Sequence, residues 1–90
     1  MIERESEYRD WLVVRGVGAN DKIASSPASY VSYLRSVSKL LNLRVSLVTL
    51  ASEEDVSAYA RQLLGRRATK TIDNYKVAMR AYVAMVHDET

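Results

Sequence analysis

Ninety residues with 48% hydrophobic and 27% charged side chains describe one globular domain with a small core and exclude a disordered chain. There is no cysteine, which excludes a disulfide framework or thiolate metal site and fits an intracellular address. No apolar run approaches the roughly 18 residues needed to span a bilayer, and charge from Glu3 onward argues against a signal peptide.

The first helix is expected over residues 3–14, with Tyr8, Trp11 and Leu12 on one face and a stop near Gly16. A loop with two glycines follows, over residues 16–25. The second helix has strong punctuation. Ser26 suits the N-cap and Pro27 the first helical position. Its apolar stripe is Tyr30, Tyr33, Leu34, Val37 and Leu41, and it should end near Asn42. Residues 43–51 are ambiguous. Leu43, Val45 and Leu47 alternate as in a strand, but no partner strand exists, so an extended segment packed on the core is expected.

The third helix opens on Ser52 with Asp55 in an approximate capping box, and Glu53, Glu54 and Asp55 suit its first turn. Val56, Tyr59 and Leu63 form its stripe, and Gly65 is placed to end it. The fourth is expected over residues 69–86. Ile72, Tyr75, Met79, Tyr82, Val83 and Val86 fall on one side, and Lys70, Asp73, Asn74, Lys76 and Arg80 on or near the other. Residues 25–41 also align with 70–86, placing Tyr30 on Tyr75, Leu34 on Met79 and Arg35 on Arg80. Upstream, Tyr8 aligns with Tyr59 and Leu12 with Leu63. Each half is then a helical hairpin unable to bury its stripe alone, and the two should pack together into an all-α, four-helix domain.

Signals for catalysis are poor. His87 is the single histidine and suits a helix C-terminus. Glu53, Glu54 and Asp55 are explained by capping, and Gly16 and Gly18 lack the following Gly-Lys-Ser/Thr of a phosphate loop. No base is arranged to activate the serines. The tyrosines of the apolar stripes read as core residues. No catalytic residue, metal site, cofactor or small-molecule substrate is therefore expected.

Charge distribution carries more. The net charge is only +2, yet residues 22–52 hold four bases and no acid, and residues 56–87 hold six bases against Asp73 alone. Arg66, Arg67 and Lys70 crowd the start of the fourth helix, where the helix dipole disfavours cations. A phosphate there would accept hydrogen bonds from open amides and from Thr69 and Thr71, and would offset repulsion among the cations. Nucleic acid is the simplest partner that supplies such anions at regular spacing.

The segments YRDWLVVRG (8–16), SPASYVSYLRSV (26–37), SEEDVSAYARQL (52–63) and TIDNYKVAMRAYVAMV (71–86) resemble, in order and spacing, the core-binding domain of tyrosine recombinases and phage integrases. The resemblance spans nearly the whole chain. It implies two crossed helical hairpins forming half of a clamp on duplex DNA, with the second and fourth helices facing the major groove and adjoining backbone. Carried over by position, the contact candidates are Ser26, Ser29, Ser32 and Arg35 on the second helix. On the fourth helix and its leading turn they are Arg66, Arg67, Lys70, Thr71, Asn74 and Lys76. Asn74 is the candidate for reading a base edge, since an amide pairs bidentately with adenine. The resemblance further implies possible self-association on DNA and a cytoplasmic, nucleoid-associated protein of a bacterium, archaeon or phage. Three departures stand out. The connection at 16–26 is longer than the family's turn. Ala68 replaces a capping serine. Nothing resembles the catalytic domain with its Arg, His and Tyr residues, so the chain reads as a fragment of a larger integrase or as a free-standing relative, with similar modules in some restriction and phage accessory proteins. The competing expectation is a helical protein-interaction module, using Trp11 and residues 43–50 to dock a partner.

Overall fold

Four helices make up most of the residues that the computed structural model describes, 2–15 and 27–88. They are α1 (Glu5–Val14), α2 (Pro27–Leu40), α3 (Glu53–Leu63) and α4 (Thr69–Asp88). No strand forms among the described residues, and the domain is all-α. None of these helices is long and apolar enough to cross a membrane.

The chain punctuation has physical causes that local sequence displays. Asn42 at φ 49° takes the left-handed conformation that ends α2. Leu43 N–H then donates to Ser38 O (2.9 Å) and Asn42 N–H to Lys39 O (3.4 Å), a Schellman closure. At α3, Ser52 Oγ accepts Asp55 N–H (3.3 Å) and the Asp55 carboxylate accepts Ala51 N–H (2.9 Å). The carboxylate thus satisfies an amide one residue before the one a strict capping box would use. Gly65, at φ 83°, reverses the chain between α3 and α4. A Cβ there would meet nothing within 4 Å, so Gly65→Ala should cost about 1–2 kcal/mol through backbone strain alone. Urea unfolding of that variant measures it, and a neutral substitution would show that the turn can relax.

Two expectations are corrected. Residues 3 and 4, expected to open the first helix, are not helical. Ile2 bridges to Val45 and Glu3 N–H donates to Val45 O (2.7 Å), while Arg4 adopts φ 60° before α1 begins. The segment after α2 is not extended throughout either. Val45 makes the bridge, but residues 46–50 close into one capped turn. Ser46 Oγ accepts the N–H groups of Val48 and Thr49 (3.2 Å each), and Leu50 N–H donates to Ser46 O (3.0 Å). Serine competes for local backbone donors in this way, and that breaks the alternation. Val45 and Leu50 are buried, whereas Val48 is 87% exposed. The expected N-cap Ser26 lies outside the described residues.

α1 packs on α2, and α3 on α4. The two hairpins join chiefly through α2 against α4, with α1 also touching α4. Of the expected stripes, Tyr8, Leu12, Leu34, Val37, Val56, Leu63, Ile72, Tyr75, Met79 and Tyr82 are buried, whereas Trp11, Tyr30, Tyr33, Leu41, Tyr59, Val83 and Val86 pack against them half-buried. Ile2, Val31, Val45, Leu50, Ala60, Ala78 and Met85 complete the core. The aligned arginines Arg35 and Arg80 each pair with the glutamate that opens the first helix of their own hairpin. Arg35 holds Glu5 at 2.8 Å and Arg80 holds Glu53 at 2.8 Å. Tyrosine hydroxyls tie distant backbone together: Tyr8 donates to Ala78 O (2.8 Å), Tyr82 to Glu3 O (2.8 Å), and Tyr59 to Thr49 O. No buried side-chain donor or acceptor among the described residues lacks a partner.

Candidate nucleic-acid interface

The reversal at Gly65 brings Arg66 and Arg67 to a groove between α2 and α4, which they help to line. Arg66 N–H and Arg67 N–H both donate to Leu63 O (3.0 and 3.3 Å), which fixes the turn to the end of α3. The groove, of about 420 Å³, is lined by Ser36, Lys39, Leu40, Arg66, Arg67 and Tyr75. None of these is acidic. Tyr75 of that lining also packs its ring, tilted, against Tyr33 of α2 with ring centroids 6.0 Å apart. Lys39, Arg66 and Arg67 are exposed, and no carboxylate among the described residues forms an ion pair with them. The Arg67 guanidinium donates to the Arg66 carbonyl (2.7 Å). α4 begins two residues further on, at Thr69. Ala68 offers no side-chain acceptor to its first turn, whose amides lack intrahelical partners.

The remaining residues named from sequence are distributed over several faces. Arg35 lies on the α1 side of α2, in a bidentate pair with Glu5 (Nε–Oε1 and Nη2–Oε2, each 2.8 Å). The hydrogen bond and charge of that guanidinium hold the Glu5 carboxyl below its usual range. Lys76 lines a different groove, between α3 and α4, with Arg61, Leu64, Thr69 and Asp73. Arg80 belongs to that side too, where its hydrogen bond to Glu53 lowers the carboxyl's pKa. Lys70 and Asn74, one helical turn apart, are both exposed, and Thr71 is half-buried. Ser32 is exposed and Ser29 half-buried on α2, and Ser26 is outside the described residues. The structure therefore gathers Arg66 and Arg67, and it separates Arg35 and Lys76 from them.

Lys39 was not singled out by sequence, yet it is shared by two neighbouring concavities. It lines both the α2–α4 groove and a second concavity with Arg35, Ser38, Asn42, Leu43 and Arg44. One sign was legible: Lys39 follows Arg35 by four residues, so the two share a helical face. What local pattern could not supply was the return of residues 64–68 to that face.

Other side chains are committed to structure. Burial raises the Tyr8 phenol far above its ordinary range, and burial beside Glu3 pushes Tyr82 up to about 12. Both stay protonated donors. Trp11 Nε1–H donates to Asp88 (3.1 Å) and its ring carries the Arg15 guanidinium at 4.9 Å. His87 Nε2 lies 2.8 Å from Ala51 O. Among the described residues no three His, Asp or Glu side chains cluster as a metal site would require. No protein-family model, curated protein or solved structure matches this chain.

Proposed function

We propose that the domain binds duplex DNA through its phosphate backbone, in the manner that its resemblance to recombinase core-binding modules implies. The observation that carries this reading is the convergence of Lys39, Arg66 and Arg67 on one open groove with no acid in its described lining. Three cations so placed repel one another, and a polyanion relieves that repulsion while releasing its own counterions. The adjoining N-terminus of α4 adds open amides for one more phosphate. Lys70 and Asn74, exposed on the first turns of α4, extend the contact along the strand. Thr71 and Ser32 contribute at its margins.

Four to six neutralised phosphates would give log K a slope of roughly −4 to −5 against log salt. Affinity for unrelated duplex should be on the order of 10⁻⁴ to 10⁻⁶ M at physiological salt, tightening steeply on dilution. Fluorescence anisotropy with a short labelled duplex across a salt series tests this. A flat salt response, or no binding in dilute buffer, would remove the reading.

A further inference from the structure

Arg35 and Arg44 belong to the acid-free stretch of residues 22–52, and both are held by carboxylates arriving from the N-terminal segment. Glu5 takes Arg35 through two parallel bonds of 2.8 Å. Glu3 reaches Arg44 at 3.3 Å. Backbone contacts set that segment in place: Glu3 N–H donates to Val45 O (2.7 Å) and Glu3 O accepts from Tyr82 (2.8 Å). The two arginines share a concavity of about 550 Å³ with Lys39, and Lys39 also lines the α2–α4 groove. The two cavities are therefore neighbours across one side chain.

A carboxylate gripping a guanidinium by two N–H···O bonds has the same two-oxygen geometry as a phosphodiester. The site around Arg35 thus already holds an anion of the right shape. Both arginine side chains are 63% exposed, so these pairs sit in water and exchange readily. We propose that Arg35 and Arg44 form a second phosphate subsite, occupied in the unbound protein by Glu5 and Glu3, whose carboxylates a nucleic-acid strand displaces as it runs on from the Lys39 groove. This deepens the duplex-binding reading and rests on it for the identity of the phosphate.

Glu53–Arg80 supplies a matched control within the molecule. It is also a pair between the first residue of a helix and the aligned arginine, but Arg80 lines neither concavity. Glu5→Gln should raise affinity for a 20-base-pair duplex roughly two- to fivefold, the worth of one exposed competing pair, whereas Glu53→Gln should leave it nearly unchanged. Arg35→Gln should weaken the Glu5→Gln protein more than it weakens the wild type, a coupling read from the double-mutant cycle. Equal effects of Glu5→Gln and Glu53→Gln, or additivity with Arg35→Gln, would overturn the subsite while leaving duplex binding itself intact. A second arm needs no DNA. Pyrophosphate titrated against the Arg35 Nε–H resonance should perturb it more in Glu5→Gln than in the wild type. That response without duplex binding would keep the subsite and remove the duplex reading, and no response in Glu5→Gln would remove the subsite.

Discussion

Reversing Lys39 and Arg67 to glutamate together should lower duplex affinity by at least about a hundredfold near 0.1 M salt. Each phosphate contact changes log K by about 0.9 per tenfold change in salt, so one contact carries roughly a factor of ten at that concentration. Two lost contacts account for about a hundredfold, and two new carboxylates facing phosphate add repulsion. The slope of log K on log salt should flatten by about 2. The necessary comparison is Arg61→Glu with Arg80→Glu, on the α3–α4 side. Either double reversal takes the formal net charge from +2 to −2, since two cations are lost and two anions gained (2 − 4 = −2). Any difference between the two proteins therefore reports position and not total charge. The α3–α4 pair should lose less than about tenfold, the worth of a single contact. Equal losses would mean that the domain presents a diffuse field with no binding face.

That comparison could not have been designed from the sequence alone. Helix punctuation was legible because each signal acts within a few residues: Pro27 at the first turn, Ser52 and Asp55 around α3, and Gly65 and Asn42 in left-handed closures. The buried stripes were legible because periodicity sets which side of a helix is apolar. Charge pairing was not, because it depends on which hairpin faces meet. Glu5 and Arg35 are thirty residues apart, and nothing in either neighbourhood announces their pair. The same limit hid Lys39, whose meaning comes from the turn at 64–68 arriving opposite it. It also hid the non-helical start at residues 3 and 4. Their charged pattern continues the first helix, yet the bridge from Ile2 to Val45 competes successfully with one more helical turn. The repeat between the two halves was visible as aligned side chains. Arg35 and Arg80 are aligned and each holds a glutamate, but the alignment of Tyr8 with Tyr59 sets Glu5 opposite Val56, so the two glutamates are not equivalent positions.

Leu34→Ala tests the scaffold on which both cavities depend. Leu34 is fully buried midway along α2, the helix that packs on both α1 and α4. Truncating it removes the transfer free energy of the lost carbons and leaves a void, together about 2–5 kcal/mol. A ninety-residue domain at about 0.05–0.15 kcal/mol per residue has a total stability of roughly 5–13 kcal/mol. The variant should therefore melt roughly 10–40 °C lower, at about 4–8 °C per kcal/mol. Tyr8→Phe is the contrasting change. It keeps the ring that packs on Tyr82 and removes one buried hydrogen bond to Ala78 O, for about 1 kcal/mol. Circular dichroism melts of the two proteins should differ several-fold in shift. If Leu34→Ala costs no more than Tyr8→Phe, then α2 is not wedged between its neighbours. Lys39 and Arg35 would then lack a fixed frame. Where Leu34→Ala remains folded at low temperature, its duplex affinity should match the wild type's, because the substitution touches no cation and alters only the folded fraction.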